Sequence, residues 1–449
     1  MHETYSLERL TALAEEKKFR QLKELLVEMN EVDIAEFLDE LEGEQRAIVF
    51  RLLPRELAAE VFTYLEDSED QEQLIGALSD RELREVMEEI YLDDAVDIIE
   101  DMPANVVSRI LRNTDSSTRS QINQLLNYPK DSAGSIMTTE FITLHPSATV
   151  EESFARIRRE GLDKETVYTC YVTENRALVG VVTVRRLLLS SYETRIADIM
   201  ETNVISARTS EDKEDVAQLF SKYDLSALPV VDGENRVIGI ITFDDVMDVM
   251  EEEATEDIEK MAAITPSEKP YMLTSPFRLW RSRIPWLLLL MVSATFTGTI
   301  IASFEGALAS YAALTIFIPM LMDTGGNCGS QASVTVIRAL SLNEVEFRDL
   351  PKVLWKELCT ALLCAATLFA AVLAKALLLD RQSPQVALVV ALTVFFTVCI
   401  AKLVGCTLPM LAKRLGFDPA VMASPFITTV VDALSLLVYF AVASRVLGL

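Results

Sequence analysis

The run Ser424-Pro425-Phe426-Ile427-Thr428-Thr429-Val430-Val431-Asp432 places one carboxylate inside a long apolar segment. Its proline frees a backbone carbonyl about one turn earlier, and Ser424, Thr428 and Thr429 add hydroxyls. Oxygen ligands beside a carboxylate suit a hard cation. A second unusual stretch follows Pro319 and reads Gly325-Gly326-Asn327-Cys328-Gly329-Ser330-Gln331. Glycines and polar side chains at membrane depth imply close helix approach, or local unwinding onto a cavity rather than lipid. Asp323 and Lys402 are also embedded in apolar runs. An ionisable group there is costly unless it lines a bundle interior or a water path. Both fall near mid-depth in segments that run the same way, so the two are expected to pair.

A third constellation is acidic: Asp244-Asp245-Val246-Met247-Asp248-Val249-Met250-Glu251-Glu252-Glu253-Ala254-Thr255-Glu256-Asp257-Ile258-Glu259. At helical spacing Asp245, Asp248, Glu252 and Glu256 share a face, and no lysine follows the first three of them four residues on. Each close pair repels by roughly 1 kcal/mol in a high dielectric. Divalent cations bridging these acids to other acidic surfaces would account for the pattern. Other chemistry is poorly supplied. His2 and His145 are the only histidines, and the six cysteines form no CxxC pair. No nucleophile–base pair, HExxH or P-loop is present, so neither an enzyme nor a zinc site is expected, and transport would be passive.

The elements that must position these groups follow from hydropathy and charge. The 449 residues carry a net charge of −27. From Leu273 onward there are 13 Lys and Arg against 9 Asp and Glu, which leaves the first 272 residues strongly acidic. An acidic surface argues against nucleic-acid binding. A bilayer-spanning helix needs about 20 apolar residues. Five runs qualify, near Ile284–Phe304, Tyr311–Ile337, Leu354–Leu379, Val386–Leu411 and Val421–Val446. Arg278, Arg281 and Arg283 precede the first; Arg338, Arg348, Lys352 and Lys356 follow the second; Lys413 and Arg414 follow the fourth. Basic loops stay on the cytosolic side, which places the N-terminus inside and, after five spans, the C-terminus outside. The polar N-terminal residues show no signal peptide. The expected location is the cell (inner) membrane, with several passes.

Residues 1–127 read as short amphipathic helices with Pro54 and Pro103 as breakers, an α-superhelical array. Residues 128–194 and 195–250 then repeat an α/β pattern. Ile136-Met137-Thr138 recurs as Ile199-Met200-Glu201, and Val179-Gly180-Val181-Val182-Thr183 recurs as Ile238-Gly239-Ile240-Ile241-Thr242. The repeat resembles a tandem pair of CBS domains, regulatory modules that often bind adenosine nucleotides. The ribose-contacting acid of those domains follows the last strand as T-x-x-D. Thr242-Phe243-Asp244-Asp245 fits this pattern, whereas Thr183-Val184-Arg185-Arg186 departs from it. Nucleotide binding is therefore left open.

Taken together, the chain resembles the MgtE family of magnesium channels and transporters over essentially its whole length. The order is a helical N domain, paired CBS domains, a connecting plug helix over 251–274 and five spans over 275–449. The carrying motifs are Pro319 with Gly325-Gly326-Asn327-x-Gly329-x-Gln331, Gly405-x-x-x-Pro409, Asp418-Pro419-Ala420 and Ser424-Pro425-x-x-Thr428-Thr429-x-x-Asp432. The resemblance implies an α-helical membrane protein, a homodimer in the lipid bilayer whose paired Asp432 side chains face a hydrated Mg2+ ion. Ser424, Thr428, Thr429 and Asn327 would lie on the same path. It also implies regulatory Mg2+ sites. These map to Glu60, Asp93 and Asp97 in the N domain, and to Asp212, Glu214, Asp224, Asp245 and Asp248 in the second CBS repeat. In the plug they map to Glu253, Glu256 and Asp257. Ions bridging these acids would compact the domains and close the pore. Manganese, cobalt and nickel share the octahedral preference and remain alternatives as cargo. A CBS-regulated anion channel is disfavoured by Asp432 and the acidic plug.

Overall fold

The computed structural model describes residues 7–65, 67–267, 271–422 and 424–448, and it divides into two units, 1–250 and 251–449.

Among the described residues, unit 1 opens with ten short helices: α1 (Leu7–Glu15), α2 (Phe19–Leu26), α3 (Glu31–Asp39), α4 (Gly43–Phe50), α5 (Arg55–Thr63), α6 (Ser68–Ala77), α7 (Asp80–Met87), α8 (Leu92–Asp101), α9 (Ala104–Asn113) and α10 (Ser116–Leu125). Their starts are set by side chains that satisfy first-turn amides. Asn30 accepts from Val32, Asp115 accepts from Ser117 and Thr118, and Ser79 with Glu82 closes a capping box. Packing runs between α3 and α5, α4 and α6, α5 and α7, and α7 and α9. Buried Arg46 ties such neighbours together. Its Nε donates to the Leu38 carbonyl at 2.8 Å, a second nitrogen donates to Leu41 at 3.0 Å, and the guanidinium pairs with Asp70. A buried guanidinium is tolerated only when its donors are matched in this way.

Two three-stranded sheets follow, each flanked by helices. β1 (Thr143–Leu144), β2 (Thr169–Glu174) and β3 (Ala177–Thr183) form the first, with α11 (Val150–Glu160), α12 (Val184–Leu188) and α13 (Ile196–Ile199) beside them. β4 (Ala207–Arg208), β5 (Ala227–Val231) and β6 (Val237–Thr242) form the second, with α14 (Lys213–Tyr223) and the start of α15 (Phe243–Met261). In both, the short first strand lies parallel to the second and the second lies antiparallel to the third. The sequence repeat is thus a structural one, and the two copies are interlocked. Val181 of β3 bridges to Glu201, and Thr138 bridges to Ile240 of β6. The leading segment of each repeat therefore pairs with the last strand of the other. Gly180 and Gly239 permit it: a Cβ at Gly180 would lie 2.8 Å from the Met200 sulfur, and one at Gly239 only 2.6 Å from the Thr138 carbonyl oxygen. The N-terminal helices share one apolar core with the second repeat, running from Leu10 through Phe62 and Val96 to Phe220, Ile241 and Val246.

Unit 2 holds the tail of α15 and the long helices α16 (Pro276–Ser303), α18 (Ala313–Ser341), α19 (Leu350–Leu378), α20 (Pro384–Arg414) and α21 (Ser424–Leu447), with the short α17 (Glu305–Ser310) between the first two. Among the described residues four helices, α16, α19, α20 and α21, are long and apolar enough to cross a membrane. The 29-residue α18 has the length but is interrupted by Asp323, Thr324, Asn327 and Gln331. At the centre α18, α20 and α21 pack on one another. The buried Tyr439 hydroxyl donates to the Leu314 carbonyl at 2.9 Å, and Phe304 stacks on Phe440 at 4.2 Å.

Candidate ion pathway and acidic cluster

Helix α18 is amphipathic, although it lies in a bundle of long apolar helices. Its apolar and glycine positions, Leu321, Gly325, Gly326, Cys328, Gly329, Ala332, Val336 and Ile337, are buried inside the unit. Asp323, Asn327 and Gln331, spaced four apart, lie exposed on one face. The buried face contacts α21. A Cβ at Gly329 would meet Ile427 and Val431, one at Gly326 would meet Thr428, and one at Gly325 would meet Val431 and Ser435. Falling numbers on α18 match rising numbers on α21, so the two run antiparallel, held close by the absence of side chains.

This crossing sets Asp432 beside the glycine stretch. Its Oδ1 is shielded from solvent and has no hydrogen-bond partner, and Asp323 is the charged neighbour whose field reaches it. Thr428 packs on Gly326. The Thr429 hydroxyl donates to the Pro425 carbonyl at 3.1 Å and keeps its oxygen as an acceptor. Asn327 stands on the exposed face one turn from Asp323. The side chain of Ser424 lies outside the described residues. The expected Asp323–Lys402 pair does not form. Lys402, buried on α20, faces Glu357 of α19 at 3.9 Å. Equal depth along two helices does not make their faces meet, and Asp323 turns away from α20. Glu357 gave no signal in the sequence because it sits near the end of its apolar run.

In unit 1 the acids gather where α8, the loops around residues 140 and 165, and the first turn of α15 converge. Asp93 is 6% exposed and accepts from the Asp94 amide at 3.1 Å. Burial, then the nearby Asp245, Glu165 and Asp94, hold its carboxyl well above the ordinary range. Burial, with Asp244 and Asp248, raises Asp94 to about 6. Asp245 is pushed up to about 7 by burial, although its carboxylate accepts from the Thr242 hydroxyl at 2.6 Å. Glu165, whose Oε2 is buried without a hydrogen bond, is raised to about 8 by burial and then by Asp245, Asp244, Asp94 and Glu140. Among the described residues, the leading influences on these four carboxyls include no lysine or arginine.

The structure thus brings together Asp93, Asp245 and Asp248, adds Asp94, Asp244, Glu140 and Glu165, and leaves Asp97 exposed one turn along α8. Glu60 belongs with Glu31 and Glu56, and burial followed by their charges raises it. Asp212 and Asp224 fall at opposite ends of α14, about 18 Å apart by helical rise. Asp212 caps that helix by accepting from the Glu214 amide at 2.9 Å. Asp224 closes the other end in a left-handed turn. Neither is among the leading influences on Asp93 or Asp245. Among the described residues no three acidic, histidine or cysteine side chains are arranged tightly enough to grip a metal ion. The carboxylates form a loose cluster.

In unit 2 the tail of α15 docks through charge and packing. Lys260 pairs with Glu256 and, at 2.7 Å, with Asp418, and Met261 packs with Ile337 and Ala420. Burial alone would lower the Lys260 ammonium pKa, but the bonds to Asp418 and Glu256 outweigh it and raise it. Burial, then Asp418, raises Asp257. Glu253 lies half-buried one turn before Asp257.

A bundle of long apolar helices with a carboxylate and an exposed polar stripe at mid-helix, carried by the same chain as paired α/β repeats, defines a multi-pass membrane protein of the cation-transporter class. Comparison with known proteins gives the family. The sequence model of the MgtE divalent cation transporter matches residues 318–442, that of the MgtE intracellular N domain matches 29–131, and that of the CBS domain matches 133–193 and 196–252. The magnesium transporter MgtE of Thermus thermophilus is 38% identical over 433 residues, 95% of each chain. That of Bacillus subtilis is 33% identical over 430 residues, 92% of this chain and 93% of its own. A crystal structure of the cytosolic domain of the Mg2+ channel MgtE in complex with ATP superposes with a TM-score of 0.52 at 38% identity, covering 54% of this chain and 100% of that one. This chain belongs to the MgtE family. The relatives that match most of the chain's length are named magnesium transporters, a family of transporters rather than enzymes.

Proposed function

We propose that this chain is a Mg2+-selective channel or transporter that mediates passive magnesium uptake and is gated by Mg2+ on its cytosolic side. The observation that carries the reading is the exposed stripe Asp323–Asn327–Gln331 on α18, beside Asp432 in a bundle of apolar helices. Such a face is too costly against lipid and calls for water or a second copy of the chain. Two chains in a homodimer would enclose it, with Asp432 from each facing a hydrated ion. Thr428, Thr429, Ser424 and Asn327 would lie along the path. Mg2+ sheds water reluctantly, so two carboxylates acting through its water shell would select it without full dehydration. In this reading α18 is the fifth membrane span, the N-terminus is cytosolic and the C-terminus outside. An inside-negative potential favours entry of a divalent ion by about 4.6 kcal/mol per 100 mV.

The gate, in the same reading, is the acidic surface of the superhelical N domain, the CBS pair and the plug. Ions at Glu60, Asp93, Asp97, Asp212, Glu214, Asp224, Asp245, Asp248, Glu253, Glu256 and Asp257 would favour the compact, closed state, and their loss would free it by charge repulsion. The buried group around Asp93 and Asp245, whose leading charged neighbours are other acids, supports this, because ionised carboxylates there need a counter-charge. An adenosine nucleotide would be held by the second CBS repeat, where Asp245 follows the strand. The first repeat has Arg186 at that position, and Thr183 caps α12 there.

Magnesium uptake into proteoliposomes by the wild type and Asp432→Ala, with manganese, cobalt and calcium as competitors, tests the pathway. Loss of uptake in the variant, with weak inhibition of the wild type by calcium, is expected. Equal uptake by both removes Asp432 from the path.

A further inference from the structure

The mid-membrane charges of unit 2 sort themselves differently from their sequence positions. Lys402 is committed to Glu357 on the α19–α20 side. That leaves Asp323 on the opposite, exposed face of α18, and its charged neighbour is Asp432. A carboxylate in this position, beside another with an oxygen that no donor satisfies, is tolerated only where water and cations reach it. The antiparallel crossing fixes the order of the two. Gly325 lies level with Val431 and Ser435, and Asp323 is two residues further from Asn327 along α18. Asp323 therefore lies beyond Asp432 toward the C-terminal end of α21, which the proposed orientation makes the outer side.

We propose that Asp323 is a second cation-holding level of the pathway, an outer carboxylate that concentrates hydrated divalent ions before they reach Asp432. The proposal rests on the pathway reading above. Asp323, Asn327 and Gln331 then form successive polar levels about 6 Å apart, one per helical turn. In a two-chain pathway the outer level adds a carboxylate from each chain to the pair at Asp432. The added charge acts on ion occupancy at low concentration and leaves the saturated rate to Asp432.

The test is the magnesium dependence of uptake by the full chain in proteoliposomes, for the wild type, Asp323→Asn, Asp323→Glu and Asp432→Asn. One carboxylate acting on a divalent ion across about 8 Å of water alters its occupancy roughly fivefold. Asp323→Asn is expected to raise the half-saturating magnesium concentration about fivefold at low salt, with the maximal rate within about twofold of wild type, and the shift should shrink as salt is added. Asp323→Glu should stay near wild type, and Asp432→Asn should lose uptake at every concentration. An unchanged half-saturation in Asp323→Asn, with uptake lost in Asp432→Asn, overturns the outer level and leaves the pathway reading standing. Loss of uptake at all concentrations in both Asp323 variants makes the position one of packing and overturns the proposal. Full uptake by Asp432→Asn overturns both.

Discussion

Glu165 offers the sharpest test of the acidic cluster, because Gln preserves its shape and removes its charge. In the folded chain its carboxyl is raised from 4.5 to about 8, by burial first and then by Asp245, Asp244, Asp94 and Glu140. The sign follows from linkage. Below about pH 4.5 the group is protonated in folded and unfolded chains alike, and its favourable contribution is fully present. Between 4.5 and 8 the unfolded chain releases the proton while the folded chain keeps it, so stability falls as pH rises and is lost by about pH 8. At about 1.36 kcal/mol per pH unit the full span is worth roughly 5 kcal/mol, and partial exposure cuts this to about 2 kcal/mol. Glu165→Gln should therefore match the wild type at pH 4.5 and be more stable by about 2 kcal/mol at pH 8 in magnesium-free buffer. Pulse proteolysis in urea, on the full chain in detergent, reads this as a rightward shift of the unfolding midpoint of unit 1. A midpoint at pH 8 equal to or below the wild type would refute the reasoning, because Glu165 would then be stabilised in its charged form by a partner.

The remaining expectations concern packing. Lys402→Met leaves Glu357 buried without its partner and should destabilise unit 2 by about 3–5 kcal/mol. Adding Glu357→Gln should recover most of that loss and adding Asp323→Asn none of it, measured by thermal aggregation in detergent. Gly239→Val drives a side chain into the Thr138 carbonyl and Met137 and should cost at least about 3 kcal/mol, seen as loss of the folded CBS pair by proteolysis.

Periodicity carried much of this architecture. The recurring Gly-centred strands and Ile-Met leaders announced two equivalent sheets, because strand alternation and a shared turn order are one-dimensional properties. Four of the apolar runs likewise correspond to α16, α19, α20 and α21. What the sequence hid was which faces meet. Lys402 and Asp323 share a depth but not a side of the bundle, and the partner of Lys402 sits 45 residues earlier on a helix whose rotation no hydropathy pattern fixes. Asp93 was legible only through the family resemblance, whereas Asp245 also stood out by its helical spacing in the acidic run. Glu165 lay in a loop with no periodic signal, and only the folded chain places it beside acids from α8 and α15. Asp212 and Asp224 came with the same resemblance, yet each serves its own end of α14.

The exchange of edges between the α/β repeats has a consequence for heredity. Because Met137-Thr138 completes the sheet of the second copy and Met200-Glu201 that of the first, neither half is a finished module. A deletion removing one copy would strip the survivor of its bordering segment as well as its neighbour. Recombination can thus move this region between genes only as a couple, and drift in one copy is policed by the fit of the other. The glycine at each seam admits no larger side chain, because a Cβ there would already collide with the other copy.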